Sequence, residues 1–451
     1  MKPLTCFKAY DVRDRVPEEL DEDLAYRIGM AFAALLSPSR VAVGRDIRSS
    51  SLPLATALTA GLTDRGVEVR DLGQCGTEQV YFYTSHLGLG GGIMVTASHN
   101  PPEYNGMKFV GPQSRPLSGE RGLKELAQLV ASPPPSPGPS RGRRVTEDPL
   151  DAYVNHLLSY VDSRALKPLK VVVNAGNGGA GPVIDRLEKH LPFQFVKIHH
   201  EPDPSFPHGV PNPLLPENRR ATTQAVVAHG AAVGLAWDGD FDRCFFFDEA
   251  GTFIEGYYLV GLLAQVLLSR HPGGTIIHDP RLTWNTIEMV RRRGGRPLLS
   301  RTGHAFVKEQ MRAADAVYGG EMSGHHYFRD FAYCDSGMIP WLLVLELMCR
   351  SGKALSALVK ERMARYPASG EINRRLSDPE AVLRRVAAFY RAQALHSDWT
   401  DGLSLEFSNW RFNLRPSQTE PVLRLNVETR QDPALLKEKT RELLALMDQE
   451  G

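Results

Sequence analysis

Cysteine, net charge and long apolar runs are what this sequence has least of. Its 451 residues include five cysteines, Cys6, Cys75, Cys244, Cys334 and Cys349, an odd number, scattered and without a Cys-x-x-Cys pair. That pattern excludes a disulfide framework and a zinc ribbon, and it points to a reducing cytoplasm. The formal net charge is +1, so neither nucleic acid nor an anionic membrane surface is implied as the main partner. The apolar stretch 341–348 is short and interrupted by Glu346, and residues 1–15 carry charges among too few apolar residues for a signal sequence. Neither export nor a membrane span is expected. Composition implies no particular oligomeric state.

What is present is an ordinary globular balance, 42% hydrophobic and 23% charged residues, on a chain long enough for three or four domains. Helical periodicity covers 24–36, 52–64 and 78–86, and short apolar runs at 41–44, 67–69 and 93–95 alternate with it as strands. The same alternation returns at 150–161, 169–174, 182–190, 219–229 and 232–237, and again at 284–293, 294–299, 307–313 and 316–318. Repeated strand and helix of this kind predicts mixed α/β sheets. From 372 onward the order changes to a helix at 379–395, strands at 403–407, 410–414 and 422–427, and a last helix at 433–449, a separate α+β domain. The Pro-, Ser- and Gly-rich segment 131–144 marks a linker, and 201–217, with six prolines, a long irregular loop. The expected domains are 1–145, 146–252, 253–366 and 367–451.

Four loops carry residues suited to chemistry. The first comes after the strand at 93–95 and reads Thr96-Ala97-Ser98-His99-Asn100-Pro101-Pro102, then Tyr104-Asn105-Gly106-Met107-Lys108. The two prolines stiffen the segment after Ser98. A hydrolase elbow, Gly-x-Ser-x-Gly entering a helix, is absent. His99 is a poor base for Ser98, because neighbouring side chains on an extended segment point apart. The second loop, Asp238-Gly239-Asp240-Phe241-Asp242-Arg243, sets three carboxylates at alternate positions, able to converge on one divalent cation of the Mg²⁺ type. Arg243 at the position of the required glycine, and strands on both sides, exclude an EF-hand.

The third loop, Gly319-Gly320-Glu321-Met322-Ser323-Gly324-His325-His326, offers a carboxylate and a hydroxyl suited to two neighbouring sugar hydroxyls. Its adjacent histidines point apart and do not read as a metal site. The fourth, Arg415-Pro416-Ser417-Gln418-Thr419, gathers a guanidinium, hydroxyls and an amide as an anion site. Between them, the glycine-rich turn 174–179 lacks the Gly-x-Gly-x-x-Gly spacing and reads as close packing of turn against helix more than as a phosphate cradle.

In this order the four loops resemble those of the α-D-phosphohexomutases, from Phe7-Lys8-Ala9-Tyr10-Asp11-Val12-Arg13 to Thr419-Glu420-Pro421-Val422-Leu423-Arg424. The wording of Gly256-Tyr257-Tyr258, His278-Asp279-Pro280-Arg281, Tyr333-Cys334-Asp335-Ser336-Gly337 and Trp410-Arg411-Phe412-Asn413-Leu414 is similar to the bacterial phosphomannomutase branch. The resemblance implies three similar α/β domains and a C-terminal α+β domain around a central active-site cleft. It implies a phosphoserine at Ser98, Mg²⁺ on Ser98, Asp238, Asp240 and Asp242, and a hexose 1,6-bisphosphate intermediate.

It further implies substrate contacts from Tyr10, Arg243, Arg281, Gly303, Glu321, Ser323, His325, Arg415, Ser417, Gln418 and Thr419, with positive charge from Arg13 and Lys108. The proton acceptor stays open between Lys108 and His304, with Tyr10 and Arg13 nearby. Gln418 departs from the family's asparagine and puts one phosphate donor in doubt. The implied partners are small hexose phosphates in the supply of GDP-mannose and surface polysaccharide. Glu321 and Ser323 see C3 and C4 while mannose and glucose differ at C2, so the motif does not separate the two sugars; the overall wording of the chain favours mannose, and action on glucose 1-phosphate as well is the alternative. A catalytically silent phosphosugar-binding protein is the reading from another class, and retention of Ser98 and all three aspartates weighs against it.

Overall fold

The computed structural model describes residues 4–119, 122–416 and 422–448, and it divides into two compact units, 1–253 with 325–352 and 254–324 with 353–451. The predicted Ser417, Gln418 and Thr419 lie outside the described residues. Within these units the chain builds three successive mixed α/β portions and a C-terminal α+β portion.

The first sheet has a parallel centre. Strand Arg40–Arg45 lies between Gly92–Val95 and Glu68–Gln74, each parallel to it, and the helices Ser51–Asp64 and Thr77–His86 make the crossovers. Gly92–Val95 is buried at every position, as its unbroken apolar run requires of a strand covered on both faces. The segment containing Tyr104-Asn105-Gly106-Met107-Lys108 is not loop but strand Tyr104–Val110, antiparallel to Gly92–Val95 on one side and to Val12–Arg15 on the other. Asn105 and Gly106 hide it from propensity, and the two neighbouring strands override that local preference. The linker segment ends in a further short strand, Arg144–Thr146, added parallel to Glu68–Gln74.

In the second portion Lys170–Asn174 lies parallel to Gln194–Ile198, which sequence periodicity did not reveal, and to Val233–Trp237. Cys244–Phe247 returns antiparallel to Val233–Trp237, so the aspartate loop is the connection between two fully buried strands. The hairpin His326–Phe328 with Cys334–Asp335 belongs to this unit and leads into the buried helix Ile339–Ser351. That helix is docked on the aspartate portion by Trp237, whose Nε1 donates to the carbonyl of Gly337 at 2.9 Å.

In the other unit Thr275–His278 lies parallel to Arg296–Leu299 and to Tyr318–Gly320, which places the Asp279-Pro280-Arg281 turn, the Thr302-Gly303-His304 turn and Glu321 all after strand C-termini. Ligand groups gather at that edge of parallel sheets because the chain turns there. The C-terminal sheet is antiparallel throughout, in the order Ile372–Arg375, Val422–Thr429, Trp410–Pro416, Leu403–Glu406, His396–Asp398. Helices Pro379–Tyr390 and Pro433–Met447 cover one face through Val386, Tyr390, Leu443 and Met447. Among the described residues no helix is long and apolar enough to cross a membrane, and the five cysteines are buried and form no disulfide.

Candidate active site

Ser98 sits three residues beyond strand Gly92–Val95, with φ 49°, a left-handed conformation that L-residues hold only when their surroundings enforce it. Its Oγ donates to Asp238 Oδ2 at 2.8 Å and lies 3.1 Å from His99 Nδ1. The sequence rule that neighbouring side chains diverge therefore fails here, because the left-handed turn at Ser98 breaks the extended run. His99 nevertheless has no free basic nitrogen, since Arg243 Nη2 donates to the same Nδ1. Burial, then the Arg243 and Arg13 guanidinium groups, holds His99 well below its ordinary pKa and keeps the ring neutral.

Asp238, Asp240 and Asp242 are buried, and one oxygen from each lies within 4.8 Å of the others. Their loop meets the serine loop backbone to backbone. A Cβ at Gly239 would lie 2.6 Å from the carbonyl oxygen of Ser98 and therefore admits no side chain. Gly178 and Gly179 press on the loop from the other side, with Gly179 N donating to Gly239 O at 3.0 Å. The glycine-rich turn is thus a packing element for the aspartates. Phe241 completes the wedge at φ 46° with its side chain fully buried.

Two cations balance these carboxylates. Lys108 Nζ, carried by strand Tyr104–Val110, donates to Asp240 Oδ2 at 2.7 Å and to Asp242 Oδ2 at 2.6 Å. Arg243 Nε donates to Asp238 Oδ2 at 2.8 Å, and its Nη2 reaches Ser98 Oγ at 3.4 Å. Burial lowers the Lys108 pKa, but the two carboxylates outweigh it and hold the amine protonated. In the same pair Asp240 is drawn below its ordinary value by Lys108 against the effect of burial, while burial and Asp240 push Asp242 up. Thr77, first residue of helix Thr77–His86, adds an Oγ1 donor to Asp240 Oδ2 at 2.5 Å.

Asp240 Oδ1 and Asp242 Oδ1 are buried and accept no hydrogen bond among the described residues. Hard oxygen donors left in that state fit a divalent cation. Nearby, His325 Nδ1 lies 2.9 Å from Asp335 and 3.9 Å from Asp242, and these carboxylates raise its pKa against burial. Arg13 joins the group through Asn100, donating to its Oδ1 at 2.7 Å and to Asp11 at 2.5 Å. Tyr10 is half-buried in the turn before it.

The other unit has its own cluster. Arg281 Nη2 donates to Asp279 Oδ2 at 2.6 Å and lies 3.4 Å from Ser323 Oγ and 3.7 Å from Glu321. Gly303 N donates to Glu321 Oε1 at 2.9 Å, and Met322 N to Asp279 Oδ2 at 2.9 Å. Arg281, Gly303, Glu321 and Ser323 are therefore brought together, with His304 opening the helix that follows Gly303. Arg415 Nη1 donates to Thr302 Oγ1 at 2.6 Å, and the guanidinium lies 3.7 Å from Asp401 and from Glu371.

Asp401, Glu371 and Asp279 escaped the sequence reading as site residues because each acts by pairing with an arginine, which for Asp401 and Glu371 the fold, not the sequence order, brings close. The buried Arg411 holds the Arg281 turn by donating to the carbonyls of Pro280 and Arg281, while Glu428 accepts from Arg411 at 2.9 Å and from Thr283 N at 2.7 Å.

Comparison with known proteins covers nearly the whole chain. Residues 5–133, 151–251 and 255–366 match domains I, II and III of phosphoglucomutase/phosphomannomutase, and residues 371–445 match its C-terminal domain. A Xanthomonas campestris protein named for phosphohexose mutases is 59% identical over 98% of this chain and 99% of its own length. A Salmonella typhimurium phosphomannomutase is 58% identical over the full length of both chains. The solved phosphoglucomutase/phosphomannomutase family protein of Burkholderia thailandensis superposes with a TM-score of 0.89 at 33% identity, covering 100% of this chain and 99% of that one. The chain belongs to the phosphoglucomutase/phosphomannomutase family, the α-D-phosphohexomutases, and is a phosphotransferase of the mutase class.

Proposed function

We propose that this enzyme interconverts mannose 6-phosphate and mannose 1-phosphate through a phosphoryl group carried on Ser98. The observation that carries the reading is the Ser98 hydroxyl, 2.8 Å from Asp238, held in a left-handed turn against a buried triple-aspartate loop. A phosphoryl donor placed there is positioned by the Ser98 backbone turn before substrate arrives, and phosphoryl transfer depends mainly on such positioning and on charge neutralisation. In the first half-reaction a sugar hydroxyl attacks phosphorus. The P–O bond to Ser98 breaks, a P–O bond to the sugar forms, and the hydroxyl proton passes to a base. The product is a hexose 1,6-bisphosphate, whose other phosphate returns to Ser98 by the reverse step.

Mg²⁺ held by Asp238, Asp240, Asp242 and the phosphorylated Ser98 would neutralise charge on the transferring group. Arg243, Lys108 and Arg13 add fixed positive charge. The Lys108 ammonium is committed to two carboxylates, which disfavours it as proton acceptor and leaves His304 from the sequence candidates. His325 joins as a proton carrier, since Asp335 orients its ring. Glu321 and Ser323, flanked by Arg281 and Gly303, suit adjacent sugar hydroxyls. Arg415 suits the phosphate that is not reacting, with Tyr10, Ser417, Gln418 and Thr419 assigned to substrate by resemblance.

The preference for mannose rests on relatives named phosphomannomutase, and a second reading, action on glucose phosphates as well, follows from hydroxyl contacts that do not sense C2. The five buried cysteines, which form no disulfide, suit a cytoplasmic enzyme feeding mannose 1-phosphate to nucleotide-sugar synthesis. The domain limits we assign are 1–145, 146–252, 253–366 and 367–451.

Measured with Mg²⁺ and a trace of hexose 1,6-bisphosphate, kcat/KM for mannose 1-phosphate is expected to exceed that for glucose 1-phosphate by at least about tenfold, a difference of about 1.4 kcal/mol. Equal values would establish dual specificity. Ser98→Ala is expected to remove turnover while leaving the thermal midpoint unchanged, and a near-normal rate in that variant would end the reading. Chelation of divalent ions should abolish activity, with recovery on adding Mg²⁺. Arg415→Ala is expected to raise KM for sugar phosphates about tenfold, the loss of one charge-assisted bond, and an unchanged KM would remove Arg415 from the phosphate clamp.

A further inference from the structure

The Ser98 turn is held from beneath by a residue that none of the four loops contains. Arg48 lies just past strand Arg40–Arg45 and is buried. Its Nη2 donates to the carbonyls of Ser98 at 2.9 Å and Asn100 at 2.6 Å, and its Nη1 to those of Pro101 at 2.7 Å and Tyr104 at 3.0 Å. Nε donates to Asp46 Oδ2 at 3.2 Å. A guanidinium has five N–H donors in a fixed fork, and here each has an acceptor. One planar group thus fixes four backbone carbonyls spread over seven residues.

Asp46 extends the support to the other side of the turn. Its oxygens also accept from Ser51 Oγ at 2.5 Å and Thr96 Oγ1 at 2.8 Å, and Thr96 Oγ1 in turn accepts from Ser98 N at 2.9 Å. The backbone N–H and the backbone C=O of Ser98 are therefore both tied to one buried pair. Phe206, from the proline-rich loop of the second portion, closes over the guanidinium with its ring centre 5.4 Å from Cζ and is itself buried. A left-handed Ser98 persists only where its surroundings over-determine it, and several simultaneous charge-assisted bonds do so here.

We infer that Arg48, braced by Asp46 and Thr96, is a positioning residue that sets the attitude of the phosphoryl-carrying Ser98 without touching substrate. The inference rests on the reading of Ser98 as phosphoryl carrier. Lysine cannot replace it. An ammonium has three donors radiating from one atom and leaves at least one of the four buried carbonyls without a partner. The turn then relaxes, and a displacement of about 1 Å at a reacting atom is worth about 100-fold in rate. Sugar-phosphate binding does not pass through Arg48, so KM is expected to hold.

The test compares wild type, Arg48→Lys and Thr96→Val in two assays. The first is incorporation of phosphate into Ser98 from hexose 1,6-bisphosphate, monitored by intact mass. The second is steady-state kinetics with mannose 1-phosphate. The expected result is rapid labelling of wild type, with labelling and kcat both lowered about 100-fold in Arg48→Lys and at least about tenfold in Thr96→Val, KM staying within about twofold. Thr96→Val keeps the side-chain shape and Arg48 itself, and it answers the question if Arg48→Lys does not fold. Wild type that never acquires phosphate on Ser98 overturns the carrier reading and this inference with it. Prompt labelling of wild type together with wild-type labelling rates in the folded variants overturns the inference alone, as does a fall confined to kcat/KM through KM.

Discussion

Negative charge crowded at one buried point is the constraint on which the Ser98 half of this molecule depends. Three carboxylates share a loop of five residues from which water is largely excluded. At an effective dielectric of about 20, two unit charges 4 Å apart repel by about 4 kcal/mol, so such a loop folds only where compensating charge arrives with it. Arg243 arrives within the loop itself. Lys108 comes from a different sheet, and its strand is registered on both sides, by Val12–Arg15 and by Gly92–Val95. The first sheet thus supplies the counter-charge that the second sheet's loop requires. The same register brings Ser98, at the end of Gly92–Val95, to the same place. Packing of the two portions against each other and assembly of the carboxylate cluster therefore draw on the same residues.

The second unit uses the opposite balance. There the guanidinium groups are the centre and carboxylates surround them, Arg281 among Asp279, Glu321 and Glu371, and Arg415 between Asp401 and Glu371. Such cations are held in a fixed direction at no cost of an unpaired buried charge. Arg415 keeps its closest contact, at 2.6 Å, with the neutral Thr302 hydroxyl, and its carboxylate partners stand off at 3.7 Å. On the proposed role of Arg415 in holding phosphate, a dianion would compete well against contacts of that length. Arg281, with a carboxylate at 2.6 Å, is bound more firmly.

The fold and the candidate site were largely legible in the sequence because the loops proposed to hold chemistry are contiguous. Ser98, the three aspartates, Glu321 and Ser323 stand in short runs, and the alternation of strand and helix around them follows from periodicity alone. Strand Tyr104–Val110 was not legible, because Asn105 and Gly106 have poor strand propensity and only tertiary pairing makes them one. Gln194–Ile198 was missed for a related reason, since its exposed and half-buried positions give no apolar run. Arg48, Asp46, Thr77 and Phe206 act on the site from 20 or more residues away in sequence, through backbone carbonyls, the carboxylates of Asp46 and Asp240, and a ring over a guanidinium. No side-chain pattern records a bond to a carbonyl, so only the fold reveals it.

His99 shows how far local reasoning carries. Read as extended chain, it points away from Ser98 and cannot serve as its base. The fold reverses that geometry and sets the ring 3.1 Å from Oγ, yet the chemical conclusion survives, because Arg243 occupies the nitrogen that faces the serine. The arginine was in plain view in the sequence, five residues beyond Asp238. A charge that must neutralise a buried carboxylate also governs every polar group within its reach. Geometry inferred from a few residues is therefore a weaker guide to a site than the balance of charge those residues must satisfy, and the assignment of Ser98 rests on the second.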